Sequence, residues 1–128
     1  MARDWIGVTL EVAMAAHAEQ LAEHGGGEGV RDNRLLDGAM ARPQNLAAYG
    51  EPDPAALAAA YAFGIARNHH FVDGNKRTAA VVSETFLMLN GLALGASDAE
   101  LAVAFLALAA GELTEEDMAD WFRGHLRD

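Results

Sequence analysis

His69-His70-Phe71-Val72-Asp73-Gly74-Asn75-Lys76-Arg77-Thr78 sets histidine, acid, a Gly-Asn pair and two cations into ten residues, immediately before the apolar stretch 79–89. The switch from polar loop to apolar helix puts that cluster at a helix N-terminus, where unpaired N–H groups and the positive end of the dipole favour an anion. Gly74 opens backbone conformations closed to other residues, so amides can turn toward a phosphate. Arg77 offers a planar fork that matches a phosphate bidentately, and Lys76 adds a point charge. Asp73 suits a Mg²⁺ better than it suits phosphate itself. His69 titrates near neutrality and can take the proton of an attacking hydroxyl. Such a set serves phosphoryl or nucleotidyl transfer, which runs on positioning and charge neutralisation. The spacing is not that of a Walker A loop, because no G-x-x-x-x-G-K-[ST] occurs, nor of a kinase glycine-rich loop.

Around the loop, composition points to helices. The 128 residues suit one domain, 1–128, with one core; 52% are hydrophobic, many of them alanine, and only 7% aromatic. Small and straight-chain residues favour helix over strand, so the expected fold class is all-α. The absence of cysteine excludes a disulfide framework and a zinc–thiolate site. A net charge of −10 repels phosphate backbones and anionic lipid, which argues against direct nucleic-acid or membrane binding. Against that background Lys76, the one lysine of the chain, reads as local chemistry. The N-terminus has no apolar signal region, and no run reaches the ~20 apolar residues that cross a bilayer, so a soluble, cytoplasmic protein is expected.

Six helices are predicted. Leu10, Ala13, Met14, His17 and Leu21 give a helix over 9–23, stopped by the glycines at 25–27. Asp32 or Asn33 caps a second helix to about Ala41, with Leu35, Leu36, Ala39 and Met40 inside; Pro43 and 47–52 read as irregular connection. Asp53-Pro54 opens a third helix to about Asn68. The motif helix, 75–90, closes at Asn90-Gly91 and has so little polar face that it is expected at the centre. A short extended piece fits 91–96. Ser97 with Glu100 is a capping box for a helix to Ala110, which Gly111 ends. Thr114 with Asp117 opens the last helix, 115–126, with Met118, Trp121, Phe122 and Leu126 inward.

The order H-x-F-x-D-G-N-K-R resembles the signature of the Fic/Doc superfamily, specifically its Doc (death-on-curing) toxin branch. Gly26-Gly27, Gly29-Val30-Arg31-Asp32, Leu35-Leu36, Ala41-Arg42-Pro43 and Asn90-Gly91 look like the matching parts of Doc-like chains, so the resemblance spans the chain. It implies a single Fic/Doc-like bundle of about six helices. By resemblance, His69 is the general base, Phe71 anchors the loop, and Asp73 holds Mg²⁺ on the nucleotide. Gly74 and Asn75 cradle the anion, and Arg77 binds the outer phosphates. Lys76 stands where Fic adenylyltransferases have glycine, which resembles the Doc arrangement, where the γ-phosphate of ATP is transferred. His70 stands where Fic motifs usually have proline.

The resemblance implies the toxin of a type II toxin–antitoxin pair: a kinase that uses ATP and Mg²⁺ to phosphorylate a hydroxyl of a translation protein. Elongation factor Tu is the implied target. A Phd-like antitoxin, whose disordered tail folds into a helix in a groove of the bundle, is the implied partner. A Fic-type adenylyltransferase is the alternative, and a catalytically idle assembly module is a third reading. The internal S/T-x-x-x-E-G/N inhibitory element of many Fic proteins is not found; Ser97 to Glu100 has the wrong spacing.

Other polar residues have plainer readings. His17, on the apolar stripe of the first helix, reads as a hydrogen-bonded core histidine, and His70 as a surface or gap-filling residue. His24 and His125 sit at helix ends, where a cation suits the dipole. Glu112, Glu115, Glu116 and Asp117 read as a helix's first turn and solvated face. Arg31-Asp32 either pins the glycine loop or only caps, and Trp5 and Trp121 read as packing.

Overall fold

The computed structural model describes residues 4–27, 33–67 and 74–127. Helices α1 (Leu10–His24), α2 (Asn33–Tyr49), α3 (Pro54–Arg67), α4 (Asn75–Leu89), α5 (Asp98–Ala109) and α6 (Glu115–His125) make an all-α bundle, as expected from composition. Two-residue strands β1 (Ala93–Leu94) and β2 (Leu126–Arg127) pair antiparallel, Ala93 opposite Arg127. The extended piece foreseen at 91–96 is therefore real, and its partner is the segment after α6.

The cap residues do what their types require. Thr9 accepts from the Val12 amide at 3.2 Å at the start of α1, and Asp53 Oδ1 from the Ala56 amide at 2.9 Å at the start of α3. Ser97 with Glu100 and Thr114 with Asp117 both close reciprocal capping boxes, with all four bonds at 3.0–3.1 Å. The predicted cap at Asp32 or Asn33, the packing of Leu35 and the Arg31-Asp32 pair lie outside the described side chains.

Two expectations are corrected. The second helix does not end near Ala41: α2 runs through Pro43 to Tyr49. Leu36, Ala39, Met40 and Pro43 are buried, and Leu46 and Ala47 half-buried, one continuous stripe at helical spacing. Burial of that face outweighs the roughly 3 kcal/mol that an interior proline costs by removing a hydrogen bond and crowding the preceding turn. The second correction concerns the centre. α3 holds that place, because nearly every position from Ala55 to Ala66 is buried, whereas Met88 and Leu89 of α4 are exposed. Alanine-rich α3 has no charge before Arg67 and lets neighbours approach closely. A Cβ on Gly64 would lie 3.1 Å from that of Ala39 on α2. Within the other predicted stripes, Met14 faces solvent, Met118 and Phe122 are buried, and Trp121 and Leu126 are half-buried.

The far end of α4 is tied to the N-terminal segment. The rings of Tyr61 and Phe86 lie 5.3 Å apart and those of Trp5 and Phe86 5.9 Å, which bears out the packing reading of Trp5. The Tyr61 hydroxyl accepts from the Val8 amide, and Asn90 bonds both backbone groups of Ile6 at 2.9 Å.

Candidate active site

α4 begins at the motif. Gly74 is its N-cap, in the left-handed conformation at φ 80° and ψ 15°, and the Thr78 amide donates to its carbonyl at 3.0 Å. That φ is strained for any residue with a Cβ, which is why glycine stands there. Asn75, Lys76 and Arg77 form the first turn. Asn75 is buried, while Lys76 and Arg77 are exposed and form no ion pair among the described residues. The first-turn amides of a helix lie outside its own i→i−4 ladder and point toward its positive end. Gly74, Asn75, Lys76 and Arg77 thus form the N-cap and first turn of α4. His69, His70, Phe71 and Asp73 lie outside the described residues, as does the expected anchoring of Phe71.

Arg77 borders a groove of about 640 Å³ between α1, α4 and α5. Its floor and walls are apolar at Val81, Leu101, Phe105 and Leu106, with Glu84 and Asp98 on one side. Burial among these apolar groups raises the Glu84 carboxyl above its usual range, and the charge of Asp98 adds to the effect. α5 is apolar nearly all round yet covered on one side only, so Val103 and Leu106 stay exposed. Glu84 carries no prediction from the sequence, although it falls seven residues after Arg77 and so on the same helical face.

His17 is buried, as its place in the apolar stripe suggests, but it is not remote from the motif. Its ring edge lies beneath Gly74: a Cβ built there would meet His17 Cδ2 at 3.4 Å and Nε2 at 3.6 Å, with Leu21 next at 3.7 Å. His24 ends α1 at the groove rim, 3.8 Å from Glu23. His125 stacks on Trp121, and its Nε2 lies 3.3 Å from Glu100, a tie between α6 and α5 rather than part of this site. Among the described residues no group of three His, Asp or Glu side chains converges as for a metal ion. In the acidic run 112–117, Asp117 closes the α6 capping box and Glu115 accepts a fork from Arg42 of α2, at 2.8 and 2.9 Å.

The model of the Fic/DOC family matches residues 7–87, which takes in α1 to α3, most of α4 and the whole motif. The chain belongs to the Fic/DOC family. Toxin Doc of Mycolicibacterium smegmatis is 51% identical over 75 residues, a segment covering 56% of this chain and 57% of that protein. The match thus spans little more than half of the mycobacterial relative. Protein kinase doc of Escherichia phage P1 is 33% identical over 117 residues, covering 91% of this chain and 92% of its own. Both relatives place the chain in the Doc branch, as the motif implies.

Proposed function

We propose that this chain is a Doc-type toxin kinase, which moves the γ-phosphoryl group of ATP to a hydroxyl of a translation protein. The observation that carries the reading is the first turn of α4: a left-handed glycine cap followed by two outward cations, in a family whose motif ends in this order. The names Toxin Doc and Protein kinase doc support it.

The residues present fit a polyphosphate. The helix N-terminus at Gly74 brings its positive dipole end to the site, and Lys76 and Arg77 offer exposed charge that forms no ion pair among the described residues. Arg77 is assigned the outer phosphates, Gly74 and Asn75 the cradle, and Lys76 the space that distinguishes γ-phosphoryl from AMP transfer. His69 takes the proton of the target hydroxyl as its oxygen bonds to Pγ and the bond from Pγ to the ADP oxygen breaks. Asp73 is the residue to hold Mg²⁺, which when bound neutralises charge on the phosphates. Elongation factor Tu is the proposed target and the cytoplasm the proposed site of action.

A Phd-like antitoxin is the proposed partner. The α1–α4–α5 groove has the dimensions and apolar floor for one face of a helix, and Glu84 and Asp98 favour a basic residue on it. A tail that folds only on binding would let degradation of the partner release the toxin.

Labelling decides the reading. ATP marked at the γ position should label the target protein, and ATP marked at the α position should not. Label from the α position would replace phosphotransfer with adenylylation. Lys76→Gly should weaken the γ reaction. Expression alone should arrest growth, and co-expression of the adjacent small gene should restore it.

A further inference from the structure

We infer that His17 is a positioning residue for the phosphate-binding turn, holding Gly74 from below while touching no substrate itself. The inference rests on the phosphotransfer reading for its consequence, but its physical basis is separate. α1 is otherwise lined on its inner face by small or apolar groups such as Ala13 and Ala16, and a histidine there carries a desolvation cost that a leucine would not. Yet His17 is 6% exposed, and a Cβ built on Gly74 would meet its Cδ2 at 3.4 Å and Leu21 Cδ2 at 3.7 Å, so both side chains line the space directly beside Gly74.

Gly74 is the least self-supporting residue of the turn. It contributes no side chain to cap α4, its φ of 80° lies in a region where only glycine is unstrained, and its carbonyl starts the α4 ladder through the Thr78 amide. A glycine has wide backbone freedom, so a turn built on one stays in place only where its surroundings confine it. On the described side that confinement comes from α1, from the planar ring of His17 and the branched end of Leu21. A leucine at 17 would present a rounder, wider end; an alanine would leave a gap under the glycine. The amides at 74–77 point at the anion only while the turn keeps its shape, and a shift of about 1 Å in such a group can cost on the order of a hundredfold in rate. His17 thus acts on the reaction through Gly74.

The test uses the full chain, with His17→Gln, His17→Ala and, as a stability control remote from the motif, Leu108→Ala, which empties a fully buried site on α5. The first readout is amide exchange at Thr78, whose bond to the Gly74 carbonyl reports the turn directly. His17→Ala should speed it about tenfold relative to amides at the far end of α4, and His17→Gln less, since it refills part of the gap. Leu108→Ala should show no such local excess. The second readout is the affinity for MgATP by calorimetry. His17→Ala should weaken it about tenfold and raise KM more than it lowers kcat, while Leu108→Ala stays within about twofold. Unchanged exchange at Thr78 in both His17 variants would overturn the inference whether or not nucleotide binds. If the wild-type chain fails to bind MgATP, the kinase reading falls, and the exchange result still decides the role of His17. If His17→Ala does not fold, the decision rests on His17→Gln alone.

Discussion

Helices α3 and α4 open on N-termini built in opposite ways. At the start of α3, Asp53 caps through its carboxylate, Pro54 follows, and Arg123 of α6 closes a fork on the same carboxylate, with Nε 2.6 Å from Oδ2 and Nη2 3.0 Å from Oδ1. Arg123 also reaches Asp120 at 2.7 Å. Anion, amides and cation are all supplied by the chain. At the start of α4 the cap is a glycine with no side chain, the cations are exposed, and the buried Thr78 hydroxyl has no partner among the described residues. An unsatisfied buried hydroxyl costs about 1–3 kcal/mol. The first terminus is completed within the chain and stabilises the bundle; the second, on the proposed function, is where a phosphate would bind. The same helix dipole would then serve stability at one terminus and binding at the other.

The sharpest way to break this contrast is to remove one arginine from each end. Arg77→Ala should cut phosphotransfer by two orders of magnitude or more, because charge stabilisation of a transferring phosphoryl group is lost, while the melting temperature hardly moves. His69→Ala should lose activity and toxicity with the fold intact, by about 10²–10⁴-fold for a missing general base. Arg123→Ala should do the reverse: full nucleotide affinity and a lower melting temperature. Label-transfer assays beside thermal melts check all three. Equal losses of activity from Arg77→Ala and Arg123→Ala would show that the two termini are not functionally distinct.

How much of this could be read beforehand follows the physics of each part. The caps at Asp53, Ser97 and Thr114 are legible because a cap is a local bond between a side chain and an amide two or three residues on, whereas Thr9, read as part of the first helix, is its cap. The motif was legible because its residue types are dense and ordered. α2 was misjudged at Pro43 because proline is a local signal, whereas the burial that overrides it comes from α3. The central place of α3 was missed for a related reason: alanine looks neutral in sequence, and its value here lies in how closely α2 can approach Gly64. His17 beneath Gly74 joins residues 57 apart in sequence, and no periodicity reports such a pair.

Stability should respond more modestly at the α3 terminus. Asp53→Ala removes a cap and the Arg123 fork together and should cost about 1–2 kcal/mol, the upper part of the range for an N-cap. Arg123→Ala leaves the cap in place, and because the pair is nearly half exposed it should cost about 1 kcal/mol or less. Arg123, and then the Ala56 amide, hold the Asp53 carboxyl below its ordinary value, although partial burial opposes them. A depressed carboxylate contributes stability that is present above its unfolded pKa and lost as pH falls through the folded one. The gap between wild type and Arg123→Ala should therefore be full at neutral pH and shrink under acid, once Asp53 is protonated in both. Urea midpoints across pH 2–7 measure it, and a gap that persists at the acid end would mean that Arg123 stabilises by packing rather than by charge.

The smallest effect, and the one with the least intuitive sign, is expected at Glu84. Its carboxyl is raised, first by burial in the groove and then by Asp98, so the folded state prefers it neutral. A group with a raised folded pKa contributes fully below its unfolded pKa and loses that contribution as pH rises through the folded value. At neutral pH the ionised Glu84 is thus a burden on the fold. Glu84→Gln, nearly the same shape and never charged, should stabilise the isolated chain by a few tenths of a kcal/mol at neutral pH, the discount reflecting a site open to solvent on one side. That gain should vanish as pH falls below the carboxyl's unfolded pKa, where the wild-type group is protonated in both states. The same substitution should weaken a partner helix that brings a basic residue to the groove, since the attraction to Glu84 is gone. A stability gain that comes with weaker partner binding would mean the acid is retained for recognition. A stability loss at neutral pH would mean that a cation on this chain already compensates Glu84.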